Sequence, residues 1–183
     1  MISAFLVQMT KWETVKRILL ALREEGLSTI EAISRLDEED LARKIRAVNF
    51  YKTKATRLRA FASFVVENGG LSNLLKLEMR SELLKVNGLG EETVDSILLF
   101  AGHQPVFPAS EYSRRVLSRY LGVELRRSEV PKLVSQNVTK DIYSFKILHA
   151  GLGSVGKASC LQGTPKCDRC ILKQWCKSNY RYP

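Results

Sequence analysis

No cysteine precedes Cys160 in this 183-residue chain, and only two histidines, His103 and His149, occur anywhere. No apolar run approaches the roughly 20 residues that a membrane-spanning helix needs, so no membrane partner is expected. Alternating strand patterns, internal repeats and low-complexity tracts are missing. A secretory leader is missing too, and the chain reads as intracellular, in the cytoplasm or nucleoid. Acidic residues are in deficit, 19 against 29 lysines and arginines, which leaves a net charge of +10. That charge favours a polyanionic partner, nucleic acid first. A merely basic soluble protein is the plain alternative.

What is present is helical. With 45% hydrophobic residues the chain can bury a core in one or two small domains. Thr10-Lys11-Trp12-Glu13 has the form of a capping box, followed by Val15, Ile18, Leu19 and Leu22 at helical spacing and Gly26 as a stop. Ser28-x-x-Glu31 opens a second short helix and Asp37 a third. Residues 52–67 form a longer helix with Ala55, Leu58, Ala62 and Val65 inward and Lys52, Lys54, Arg57 and Arg59 outward, closed by Gly69-Gly70. Residues 1–7 begin directly in an apolar run and read like the middle of a core helix.

The four cysteines, Cys160, Cys167, Cys170 and Cys176, follow the spacing C-x6-C-x2-C-x5-C. Four thiols within one short segment point to a shared metal centre. A [4Fe–4S] cluster needs four thiolates and tolerates unequal loops. Structural zinc usually takes two CxxC knuckles, and only one is present. Two disulfides are the third reading, disfavoured in an intracellular chain. Lys157, Lys166, Arg169, Lys173, Lys177 and Arg181 against Asp168 alone give the surrounding segment half of the net charge. Lys166 and Arg169 are the cations placed to meet phosphates.

Residues 83–101 read as helix, a tight Gly88-Leu89-Gly90 turn and helix. Glycines let a backbone approach a ligand, and the second helix offers amides and the positive end of its dipole to an anion. Leu89 plugs the space between the helices. An ordinary αα connection is the bland reading, but the flanking Leu-Leu-Lys-Val and Thr-Val-x-x-Ile-Leu favour a helix–hairpin–helix. Such a hairpin grips a DNA phosphate without reading sequence, with Asn87, Gly88, Leu89, Gly90 and Thr93 as contacts. Glu91 and Glu92 in its first turn stabilise the helix but repel a phosphate.

A helix–hairpin–helix followed by this cysteine pattern resembles the endonuclease III superfamily of DNA base-excision glycosylases. Ser3 to Trp12, Phe50-Tyr51-x-x-Lys54-Ala55 and Pro105-Val-Phe…Tyr112-Ser-Arg-Arg-Val match further family landmarks, so the likeness spans essentially the whole chain. The 3-methyladenine DNA glycosylase III-like branch is the nearest in pattern. The resemblance implies an all-α, two-lobed fold: a helical barrel lobe over 1–104 with the hairpin at 83–101, and an iron–sulfur lobe over 105–183 with its [4Fe–4S] loop at 160–176. It implies a monomer on double-stranded DNA, with a damaged nucleotide flipped into a pocket. Relative to the family, the usual N-terminal stretch is expected to be lacking.

The same resemblance assigns roles. The family's lyase lysine falls at Glu92, which cannot form an imine, so strand cleavage of that kind is not expected. The essential aspartate falls at Ser110, which is neutral and cannot supply the carboxylate; Glu111 is the neighbour that could replace it. Gln8 matches a residue that fills the gap left by a flipped base, or is a surface residue at a helix end. Trp12, Tyr51 and Tyr112 could stack on an extruded base or simply pack the core. Asp95 and Ser96 read as a solvated face, and His149 as structural. The expected function is recognition of damaged or distorted duplex DNA on a glycosylase scaffold; the alternative is an active monofunctional glycosylase acting on an alkylated or otherwise damaged base.

Overall fold

A computed structural model describes residues 1–180, and among these every regular element is helical. The chain divides after Gly102 into two compact units.

The first unit holds α1 (Ile2–Leu6), α2 (Trp12–Glu24), α3 (Ile30–Arg35), α4 (Glu38–Lys44), α5 (Tyr51–Glu67), α6 (Leu71–Leu74), α7 (Arg80–Lys85) and α8 (Glu91–Phe100). α5 is its spine. Its residues Ala55, Leu58, Phe61, Ala62 and Val65 are buried, and α1, α3 and α4 pack against it. Phe61 meets Phe5 of α1 with ring centroids 5.1 Å apart, which places the apolar N-terminal residues in the core. Burying side chains of this size contributes about 1.5–3 kcal/mol each.

Helix starts follow the local polar residues, with two departures from expectation. Asp37 caps α4 by accepting from the Glu39 N–H at 2.9 Å. α3 is capped by Thr29 rather than Ser28: Thr29 has extended backbone, and its hydroxyl accepts from the Ala32 N–H at 3.1 Å. The capping box at Thr10 does not form. Lys11 stands at the cap position of α2 without a side-chain cap, because the Thr10 hydroxyl faces Lys54 and Asn49 instead. α5 ends as expected, with Gly69 and Gly70 at φ +77° and +95°, and the Gly70 N–H returns to Val65 O at 2.9 Å.

Two polar residues expected at the surface are inside. Lys54 lies on the inward side of α5, and Asp95 of α8 is only 3% exposed. Asp95 receives a forked contact from Arg80, at 2.6 and 3.0 Å, which ties the first residue of α7 to the second turn of α8. Helical period alone put Asp95 on the polar side; tertiary packing of α7 supplied the partner that permits its burial.

The second unit holds α9 (Glu111–Leu121), α10 (Val130–Asn137) and α11 (Ile142–Ala158), followed by single turns of 3-10 helix at Cys167–Arg169, Lys173–Trp175 and Lys177–Tyr180. α9 packs on α11. Gly156 permits a close approach, since a Cβ there would fall 2.6–3.1 Å from the Tyr112 side chain. Phe107 and Phe145 meet edge to face at 5.8 Å in the core, and His149 lies edge-on to Phe107 at 5.9 Å. Burial holds the His149 pKa below its usual value, with the Pro108 backbone opposing.

Asp95→Ala leaves the Arg80 guanidinium without its carboxylate at a partly buried position. It should lower stability by about 2–3 kcal/mol. Guanidinium-chloride unfolding checks this; an unchanged midpoint would show the pair to be incidental.

Candidate functional site

The hairpin is built by the five residues between α7 and α8. Gly88 sits at φ +89°, where L side chains are strained, whereas Gly90 is extended at φ −83° and needs no glycine for its backbone. Leu89 is buried between the helices, and Asn87 and Gly90 are exposed. Among the described residues, neither the Gly88 nor the Gly90 N–H donates a backbone hydrogen bond. A Cβ at Gly88 would fall 2.3–2.7 Å from the Arg57 side chain. Arg57 of α5 therefore lies directly over the turn and brings a guanidinium to it. No motif marked Arg57 in the sequence; its only signal was membership of the basic side of α5. Glu92 is half-buried in the first turn of α8.

Beside the hairpin lies the turn after α1. The Gln8 side chain is exposed and its Nε2 donates to Thr93 Oγ1 at 3.2 Å, so two of the expected DNA contacts touch each other. Met9 adopts φ +54° and is exposed. The Lys54 ammonium donates to Leu6 O, Gln8 O and Thr10 Oγ1 at 2.9, 2.6 and 3.0 Å, and burial holds its pKa below the usual lysine value. Trp12 opens α2 and is half exposed, and Tyr51 opens α5 in a half-buried position.

In the second unit Ser110 is the N-cap of α9. It is 5% exposed, accepts from the Ser113 N–H at 3.0 Å and donates to Ser113 Oγ at 3.1 Å. The cap fixes its backbone and leaves a neutral hydroxyl at the start of α9. Glu111, one residue on, is held by the Arg114 guanidinium at 2.6 and 2.9 Å. That contact pulls its carboxyl pKa below the usual range, so the group is anionic but already paired. Tyr112 lies against Gly156, with the Arg115 guanidinium 5.2 Å from its ring centre.

All four cysteines are free thiols and line one cavity, together with Arg119, Ser159, Pro165 and Ser178. Cys160 is buried and the other three are half-buried. Burial pushes the Cys167 thiol up, and Cys176, Cys170 and Cys160 push in the same direction while Arg119 opposes. Metal ligation by cysteine takes the thiolate form, so a cationic centre bound here would offset that rise at Cys167. Two arginines of α9 shape the loop: Arg115 donates to Cys160 O at 2.8 Å, and Arg119 to Cys160 Sγ at 3.4 Å and Leu161 O at 2.6 Å. Among the described residues no three cysteine, histidine or carboxylate side chains converge on a single-ion site. A zinc would require sulfurs about 2.3 Å from one point, whereas a cubane spreads its thiolates over several irons. Four thiols around one cavity match the number of thiolates that a [4Fe–4S] cluster takes. Lys166 and Arg169 are exposed beside Cys167.

Because the cap carries the structural role of position 110, Ser110→Ala should cost about 1 kcal/mol of stability, while Ser110→Asp should hold it within a few tenths. Urea unfolding of the two variants side by side decides; equal losses would show that the cap is not what the hydroxyl supplies.

Residues 2–140 match the HhH-GPD superfamily of base excision DNA repair proteins. A candidate DNA repair glycosylase of Methanocaldococcus jannaschii is 36% identical over 97% of this chain and 84% of its own length. Two solved structures share the fold: a trapped endonuclease III–DNA covalent intermediate (TM-score 0.81, 21% identity, 98% of this chain and 83% of that one), and the Helicobacter pylori 3-methyladenine DNA glycosylase bound to 1,N6-ethenoadenine (0.75, 24%, 85% and 82%). With its helical fold and hairpin, the chain belongs to the HhH-GPD superfamily of base excision DNA repair proteins.

Proposed function

We propose that this protein binds double-stranded DNA as a monomer and recognises damaged or distorted sites, on a glycosylase scaffold whose activity is in doubt because Ser110 and Glu92 stand where the catalytic aspartate and lysine are expected. The observation that carries the reading is Ser110: a neutral, capped and hydrogen-bonded hydroxyl at the position of the expected catalytic aspartate. Loss of a charge that stabilises an oxocarbenium-like sugar costs on the order of 3 kcal/mol of barrier. Glu111 is turned to Arg114 and does not replace it.

DNA binding is supported by the hairpin. Asn87, Gly88 and Gly90 present the turn, Thr93 begins the second helix, and Arg57 adds a positive charge that offsets Glu91 and Glu92. Gln8 stands beside Thr93, where it can fill the space of an extruded base. Trp12 and Tyr51 in the first unit, and separately Tyr112 in the second, are the aromatic candidates to stack on an extruded base. The solved relatives bound to DNA and to a modified adenine support the same class of ligand.

Cys160, Cys167, Cys170 and Cys176 would hold a [4Fe–4S] cluster. The cluster would order the loop that presents Lys166 and Arg169. Arg119 would donate to the Cys160 sulfur from outside the donor set. The 36% identical relative's designation favours one second reading, an active monofunctional glycosylase for an alkylated or otherwise damaged base, with half-buried Glu92 as the remaining carboxylate.

Single-turnover base release on duplexes with alkylated, oxidised, deaminated and mismatched bases separates the two. Binding without release by the natural protein, and release by Ser110→Asp, is the expected result. Release by the natural protein would overturn the reading and make Glu92 the next residue to change.

Two further outcomes are expected. The purified protein should be brown with four irons per chain, and a colourless protein with one zinc would remove the cluster. Gly88→Glu should weaken duplex binding at least about tenfold at every sequence alike, through charge and strain at the turn. Unmoved affinity in a folded variant would make the hairpin a mere connector.

A further inference from the structure

Lys54 is 6% exposed, and its three N–H groups meet three neutral acceptors: Leu6 O, Gln8 O and Thr10 Oγ1. Among the described residues this ammonium is held by dipoles alone, which is costly, and an apolar side chain of the same length would fill the space without burying a charge. The charge has a use that packing alone does not require.

That use is the turn over residues 7–10. All three acceptors belong to this turn or to the last residue of α1, so a single group closes it. The turn is strained, with non-glycine Met9 at φ +54°. Asn49 grips it from the other side, its Nδ2 donating to Met9 O at 2.7 Å and its N–H to Thr10 Oγ1 at 3.2 Å. The turn delivers one polar side chain, Gln8, whose Nε2 reaches Thr93 in the first turn of α8. The ammonium takes the carbonyl of Gln8 itself, so the side chain starts from a fixed backbone.

We infer that Lys54 is a positioning residue: by closing the 7–10 turn it sets the Gln8 amide beside Thr93 at the mouth of the hairpin, coupling the lesion contact to the backbone grip. The inference rests on the reading of Gln8 as the residue that fills the gap of an extruded base. Arg at position 54 would keep the charge but not the fit, because a planar fork cannot converge on three acceptors as an ammonium does.

The test uses the 15N-labelled 183-residue chain and two readouts. One is the Gln8 side-chain amide resonance, assigned by its loss in Gln8→Ala. The other is the ratio of dissociation constants for an intact duplex and one carrying a tetrahydrofuran abasic analogue. Lys54→Met and Thr10→Val should both shift the Gln8 resonance. Both should cut the preference for the abasic duplex by about tenfold, roughly one charge-assisted hydrogen bond, and Lys54→Arg should not rescue it.

Lys54→Met combined with Gln8→Ala should be no worse than Gln8→Ala alone. A Gln8 resonance unmoved in both variants, or losses that simply add, overturns the inference. Should Lys54→Met fail to fold, Thr10→Val, which keeps the ammonium and the packing, decides by the same criteria. If Gln8→Ala leaves the ratio unchanged while the resonance still moves with Lys54→Met, positioning stands and the DNA role of Gln8 fails.

Discussion

Arg80 and Asp95 clamp the two helices of the hairpin through a largely buried forked contact. Everything proposed for the hairpin depends on it. The five residues between α7 and α8 form a usable turn only if the helices on either side keep their spacing. Leu89 fills that spacing with apolar surface, and the ion pair adds direction that apolar contact lacks. A carboxylate inside a helical core is tolerable because Arg80 satisfies both of its oxygens. Gly88 then completes the turn in a conformation that L residues avoid, under the Arg57 side chain.

The same logic of buried charge recurs elsewhere, each time at a place where backbone rather than side chain must be held. Lys54 closes a strained turn by binding carbonyls. Arg115 and Arg119 bind the carbonyls of Gly156, Cys160 and Leu161, shaping the loop that carries the thiols. Short helices leave many carbonyls unpaired at their ends. In a chain made of short helices and connecting turns, cations within the structure are a direct way to satisfy them. Part of the +10 charge is therefore structural, and the share facing a polyanion is smaller than composition suggests.

Position 110 shows how scaffold and chemistry separate. A serine and an aspartate both cap a helix, accepting from the amide three residues on. As caps the two are nearly equivalent. Only the charge differs, and charge is what glycosidic hydrolysis needs. An exchange of one for the other keeps the cap and removes the charge. Glu111 is one residue further on, where a helix position points about 100° away, and its carboxylate is taken by Arg114 one turn along.

Sequence alone determined that this chain is helical, that its four cysteines lie close together and that Gly88-Leu89-Gly90 joins two helices. Those features are local: helical period, close spacing of thiols along the chain and the steric freedom of glycine are all written within a few residues. It also determined the family, because the hairpin and cysteine motifs stand in fixed order. Tertiary structure decided what local pattern cannot. Lys54 and Asp95 lie on faces that look polar in their own helices, and both are buried because partners distant in sequence, the 6–10 turn and Arg80, satisfy them. The Thr10 hydroxyl, well placed in sequence for a capping box, is claimed by Lys54 and Asn49 from about 40 residues away. Arg57 reached the hairpin turn for the same reason: its neighbour there, Gly88, is adjacent in space and remote along the chain.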